Sequence, residues 1–67
     1  MAQVIIVDDH PIVRLAIRFI VEKEEHAVIA ETGGGIEALS LVERYQPDIL
    51  VVDIDILSLD GIEVVKS

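Results

Sequence analysis

The chain of 67 residues contains no cysteine and no tryptophan, one tyrosine, one phenylalanine and two prolines. Without cysteine there is no disulfide framework and no thiolate metal site, and residence in a reducing cytoplasm is the expectation. Basic residues are scarce as well: 5 Lys and Arg face 13 Asp and Glu, a formal charge of −8. That balance argues against this segment gripping nucleic acid or an anionic membrane, because both need clustered Lys and Arg. Long apolar stretches are also missing. The longest uninterrupted runs are about four residues, against the ~20 that span a bilayer. Met1 to Gln3 carry no basic run of the kind that opens a secretory leader.

What is present is aliphatic. Hydrophobic residues make up 52% of the chain, too many for disorder by composition despite the charge. A single core below ~70–80 residues rarely supplies more than ~3–5 kcal/mol without a staple. The expectation is therefore a piece of something larger, or an oligomer.

Val4-Ile5-Ile6-Val7 is a β-branched run ending in Asp8-Asp9 and reads as a buried strand. Pro11 then suits the first turn of a helix. Val13, Ile17, Ile20 and Val21 recur at helical spacing, widened by Ile12, Ala16 and Phe19, with Arg14, Arg18, Glu22 and Glu25 on the solvent side. His26 to Thr32 fits a second strand, and Gly33-Gly34-Gly35 breaks the chain. A second helix places Ile36, Leu39 and Val42 on one stripe, with Glu37, Ser40, Glu43 and Arg44 nearer solvent, and Pro47 stops it. Ile49-Leu50-Val51-Val52 lacks polar alternation, as strands covered on both faces do. It ends in Asp53 and Asp55. Asp60-Gly61 then starts a third helix through Ile62, Val64 and Val65. The β-α-β-α-β-(α) alternation predicts an α/β fold with parallel strands and right-handed crossovers.

Parallel strands bring their C-terminal ends to one edge, where open α/β sheets bind ligands. If the first and third strands are neighbours, Asp8, Asp9 and Asp53 converge there, with Asp55 and Asp60 nearby. Taken singly, each Asp reads as a solvated loop residue or a helix cap. As a set they repel one another unless a cation compensates, and an oxygen donor set suits Mg²⁺. An Asp beside Mg²⁺ is also a candidate nucleophile toward a phosphoryl group. The glycine run reads as a plain turn before a phosphate cradle. His10 reads as a loop residue ahead of Pro11, with a ligand or proton-carrier role as the alternative. His26 reads as ordinary surface, Glu22 to Glu25 as a solvated helix end, and Phe19 and Tyr45 as core.

The Val4-Ile5-Ile6-Val7-Asp8-Asp9-His10-Pro11 opening, the apolar strand ending at Asp53, and Asp60-Gly61 beyond it resemble the receiver domain of two-component response regulators. The Asp-Asp-His-Pro opening and Asp53-Ile54-Asp55 look most like the subgroup whose receiver precedes a helix-turn-helix DNA-binding domain. The resemblance covers residues 1–67 and implies the first half of a flavodoxin-like parallel sheet flanked by helices. It implies that Asp53 accepts a phosphoryl group from a sensor histidine kinase. Mg²⁺ would be held by Asp8, Asp9, Asp53 and the backbone carbonyl of Asp55. DNA would be bound by an output domain outside this segment, in a cytoplasmic transcriptional regulator.

Departures from the family pattern are visible. Leu57 stands where a proline is usual four residues after the acceptor, and three glycines at 33–35 replace a mixed loop. The family's switch Ser or Thr and its invariant Lys have no counterpart, since Lys66 falls in the third helix. Two rival readings remain. Val51-Val52-Asp53-Ile54-Asp55 also resembles the nucleophile motif of haloacid-dehalogenase-type phosphatases, with Asp53 attacking and Asp55 as acid and base. That motif normally ends the first strand of its fold, however, and leaves Asp8-Asp9 unexplained. The other is a non-catalytic assembly module. In the strand order 2-1-3, the third strand is a long hydrophobic edge open to pairing with a second copy.

Overall fold

The computed structural model describes residues 1–53. The expectations for Asp55, Leu57, Asp60-Gly61 and the third helix with Lys66 lie outside the described residues. Five elements follow one another: β1 (Gln3–Val7), α1 (Pro11–Lys23), β2 (Ala27–Thr32), α2 (Gly35–Tyr45) and β3 (Ile49–Val52). Each begins or ends for a local reason. Pro11 occupies the first turn of α1, where its missing N–H leaves no partner unsatisfied. The chain leaves α1 at Glu25 and α2 at Gln46 in left-handed conformations (φ 65° and 47°), so side-chain-bearing residues take the place glycine usually holds there.

The three strands form one parallel sheet in the order β2-β1-β3. This is the α/β, flavodoxin-like arrangement that the alternation and the resemblance imply. β1 pairs with β2 from Gln3↔Ala27 to Val7↔Thr32, with one register irregularity between Val4 and Ile5. On its other side it pairs with β3 from Val4↔Ile49 to Val7↔Val52. Being central, β1 is the best-covered strand: Val4, Ile5, Ile6 and Val7 are at most 1% exposed. Ile5 and Val7 pack with Ala38 of α2, surrounded by Ile29, Ala30, Leu41, Val42 and Val52. Strand alternation turns Val4 and Ile6 to the opposite face, where the right-handed crossover carries α1.

Several sequence expectations are corrected. β3, expected to be covered on both faces and long, has four residues and half-exposes Ile49 and Leu50, because it lies at the edge of the sheet formed by the described residues. The inward stripe of α2 runs through Gly35, Ala38, Leu41 and Val42, while Ile36 is 75% exposed and Leu39 faces outward. The small residues let α2 lie close on the sheet. Since bulky apolar residues occur on both sides of this helix, spacing alone could not choose between the stripes. On α1, Ile17 and Val21 are half-buried as expected, but the third member of their stripe is Arg14, not Val13. Ile12, Leu15, Ala16, Phe19 and Ile20 instead border an open apolar groove, with Phe19 68% exposed. Tyr45 is likewise exposed and not core.

Because Ile5 is fully covered and touches the α2 cluster, Ile5→Ala should remove about 2–5 kcal/mol of stability. A urea denaturation curve followed by circular dichroism checks this; a loss below about 0.5 kcal/mol, typical of surface changes, would mean that the α2 face is not the core.

Candidate functional site

The register fixes the site. Val7, the last residue of β1, stands opposite both Thr32 and Val52. The ladder then continues one residue beyond the strand on each side: the Asp8 N–H donates to Thr32 O and the Asp53 N–H to Val7 O, both at 2.9 Å. Asp8 and Asp53 are thereby held side by side at the carboxyl end of the sheet. Asp8 is 4% exposed, Asp53 is mostly covered, and Asp9 is open to solvent.

His10 completes the cluster. Its backbone N–H donates to Asp8 Oδ1 at 2.8 Å, closing a local turn of the kind Asp favours. Its ring Nδ1 lies 2.9 Å from Asp8 Oδ1, 2.9 Å from Asp9 Oδ1 and 3.5 Å from Asp53 Oδ2. One donor atom from each of Asp8, Asp9, His10 and Asp53 falls within 4.8 Å of the others. Such a set is small enough to close around one ion. Three of the expected site residues, Asp8, Asp9 and Asp53, are therefore brought together; Asp55 lies outside the described residues.

Three carboxylates at this spacing repel one another, and the loop answers with hydrogen bonds and positive charge. The His10 backbone N–H holds the Asp8 carboxyl below its ordinary value, outweighing the burial that pushes it up. The hydrogen bond with Asp8, followed by the charge of Asp9, raises His10 above its ordinary value.

Arg14 supports the same loop from α1. It donates from Nη1 to Asp8 O at 2.9 Å, and its Nε lies 3.3 Å from Glu31 Oε1 without hydrogen-bond alignment, a contact of charge alone. Arg18 binds the same Glu31 at 2.8 Å and also reaches Glu22. Helical spacing placed both arginines toward solvent; the signal that could have found Arg14 is its position four residues after His10, on the face leaving the acidic loop. The β2–α2 turn closes in from the other side. A Cβ at Gly33 would meet Arg14 Nη1, the end of a flexible side chain, at 3.2 Å and Asp9 Cα at an ordinary 3.5 Å, so the turn passes close to the acidic loop. No described glycine adopts positive φ. Thr32 Oγ1 donates to Glu37 and accepts the Gly34 N–H, so the turn is held internally, as the plain-turn reading expects. His26 lies half-buried at the opposite edge, where its Nδ1 accepts the Ala2 N–H at 3.0 Å.

A family model described as the response regulator receiver domain matches residues 4–67. The chain is 46% identical over 63 residues to the positive transcription regulator of virulence factors BvgA of Bordetella pertussis, covering 94% of this chain and 30% of that protein. It is 40% identical over 63 residues to the DNA-binding transcriptional activator EvgA of Escherichia coli K12, covering 94% of this chain and 31% of that one. Its structure is similar to the crystal structure of a LuxR-family two-component response regulator from Aurantimonas sp. SI85-9A1. There the TM-score is 0.72 at 34% identity, covering 91% of this chain and 53% of the other. The chain thus spans under a third of the curated relatives' length.

The direction of the His10 shift sets a pH dependence. A group raised in the folded state contributes stability that is complete below its unfolded value, about 6.5 for His, and lost as pH rises through the raised one. The lowered Asp8 contributes above its unfolded value and loses that contribution as pH falls through the lowered one. The urea midpoint should therefore decline as pH climbs from about 6.5, and His10→Gln should flatten that decline. An equal slope in the variant would assign the effect to another group.

Proposed function

The chain belongs to the response regulator receiver domain family, and from that premise we propose that Asp53 is the phosphoryl acceptor of a cytoplasmic transcriptional regulator, served by a sensor histidine kinase. The observation that carries this reading is the convergence of Asp8, Asp9 and Asp53 at the carboxyl edge of the sheet. An oxygen-rich donor set of this size fits Mg²⁺, with Asp8, Asp9, Asp53 and the Asp55 carbonyl as its proposed protein ligands. When bound, the ion neutralises charge on the transferring group.

The chain's own residues would do the rest. An Asp53 carboxylate oxygen attacks the phosphorus of a phosphohistidine. The P–N bond breaks, its electron pair goes to the departing imidazole nitrogen, and the ring, already protonated at its other nitrogen, leaves as neutral imidazole. The Asp53 N–H bond to Val7 O fixes the backbone from which the nucleophile projects. The phosphatase alternative gains nothing from the geometry. Asp53 ends the third strand of the chain, and Asp8 and Asp9 have no part in that mechanism. Phosphorylation would then shift an equilibrium that reaches a DNA-binding output domain.

Incubation with acetyl phosphate and Mg²⁺, read by intact mass, tests the chemistry. One metal-dependent phosphoryl adduct is expected, absent from Asp53→Asn; labelling that survived the substitution would move the acceptor elsewhere.

A second reading, assembly between copies, has its own observation. β3 is an edge strand among the described residues, and Ile49 and Leu50 are exposed on it. Such an edge invites pairing with another strand. The 67-residue chain should self-associate at tens of micromolar, with Leu50→Lys shifting it toward monomer; light scattering that finds a wild-type monomer would remove this reading.

A further inference from the structure

His10 reads from the sequence as a loop residue, yet its ring Nδ1 lies 2.9 Å from one oxygen of each of Asp8 and Asp9. We infer that His10 is a nitrogen donor to the metal, and that it tilts the site toward a late first-row divalent cation such as Zn²⁺ relative to Mg²⁺. The inference rests on the metal reading above and adds a specificity-determining residue to it.

The spacing supports a donor. Bonds of about 2.0–2.2 Å place neighbouring donors roughly 2.8–3.1 Å apart at right angles and roughly 3.3–3.6 Å apart in a tetrahedron. His10 Nδ1 stands 2.9 Å from Asp8 Oδ1 and 2.9 Å from Asp9 Oδ1, with Asp53 Oδ2 slightly farther at 3.5 Å. The ring is held by its hydrogen bond with Asp8 Oδ1 and not by helix capping. His10 is the N-cap residue of α1 but makes no side-chain cap bond. Its backbone N–H is tied to Asp8, and Pro11 follows at once. The loop is thus fixed on both sides of the Cα from which the ring projects. At 56% side-chain exposure the ring is also free to adjust by small rotations.

Chemistry supplies the selectivity. Carboxylates, carbonyls and water satisfy Mg²⁺, whereas imidazole favours Zn²⁺ and its neighbours. A site of three carboxylates alone would carry little of that preference. Adding one imidazole nitrogen gains much for Zn²⁺ and little for Mg²⁺. The other histidine does not compete for this role, since His26 lies at the opposite edge of the sheet with its Nδ1 accepting from Ala2.

The experiment is calorimetric titration of the 67-residue chain with Mg²⁺ and separately with Zn²⁺, in wild type, His10→Ala, His10→Asn and Asp53→Asn. Loss of even a supporting partner typically costs ~10–100-fold in metal affinity. His10→Ala and His10→Asn should therefore weaken Zn²⁺ by at least about tenfold and Mg²⁺ by less, so that the Zn²⁺ to Mg²⁺ affinity ratio falls. Circular dichroism of each variant checks that it folds. In ¹⁵N spectra, the His10 ring nitrogens should shift with Zn²⁺ and the His26 ring should not. An unaltered Zn²⁺ to Mg²⁺ ratio in both His10 variants overturns the role of His10 and leaves the acidic site standing. Mg²⁺ binding that is absent from wild type, or indifferent to Asp53→Asn, overturns the metal reading and the inference together.

Discussion

The placement of β1 in the middle of the sheet is the constraint on which the rest of the structure depends. Its four aliphatic residues are closed off on both faces, and both of its edges are hydrogen-bonded to parallel neighbours. Because both ladders run one residue past the strand end, the Asp8 and Asp53 backbones are as fixed as the strands themselves. The acidic cluster is therefore an extension of the hydrophobic core's hydrogen bonding, and a separate loop structure is not needed to assemble it. Rigid elements hold a site more closely than free loops do.

Fixing these carboxylates has an electrostatic cost, and the surrounding residues are arranged against it. Asp8 is almost fully covered and would resist ionisation there without partners. The His10 N–H and ring, together with Arg14 at the Asp8 carbonyl, bring donors and positive charge to that point. Asp9, left in water, needs less support. Arg14 and Arg18 are in turn anchored on Glu31 of β2, so the charge pattern ties α1 to the sheet edge beside the site. The same bonds that make the cluster tolerable hold its carboxylates together.

The strands and the first two helices were legible in the sequence because β-branched runs ending in Asp, Pro11, and the glycine run are strong local signals, and the strand order was what the family resemblance implied. The three convergent acids followed from the topology alone. What remained hidden was rotational. Spacing could not tell which side of α2 faces the sheet, because Ile36 and Leu39 offer a more apolar stripe than Gly35 and Ala38, while packing distance favours the small residues. Arg14 looked like a surface charge because a long side chain can enter a site by its head group while its position on the helix reads as polar. The place of His10 in the cluster was hidden for a related reason: a lone histidine in a loop carries no periodicity, and its nearness to Asp53 depends on a strand far along the chain.

That distance along the chain has a kinetic side. β1 finds its partners at Ala27 and at Ile49, after an intervening helix in the first case and most of the described chain in the second. Its apolar run has no local partner and must wait through two long loop closures, the slow kind of pairing for a chain of this size. During synthesis, Val4 to Val7 emerge before both partner strands and are satisfied only once the later one appears. The segment that ends up best protected is, for most of that time, the one most in need of shelter, by a chaperone or by the nascent helices beside it.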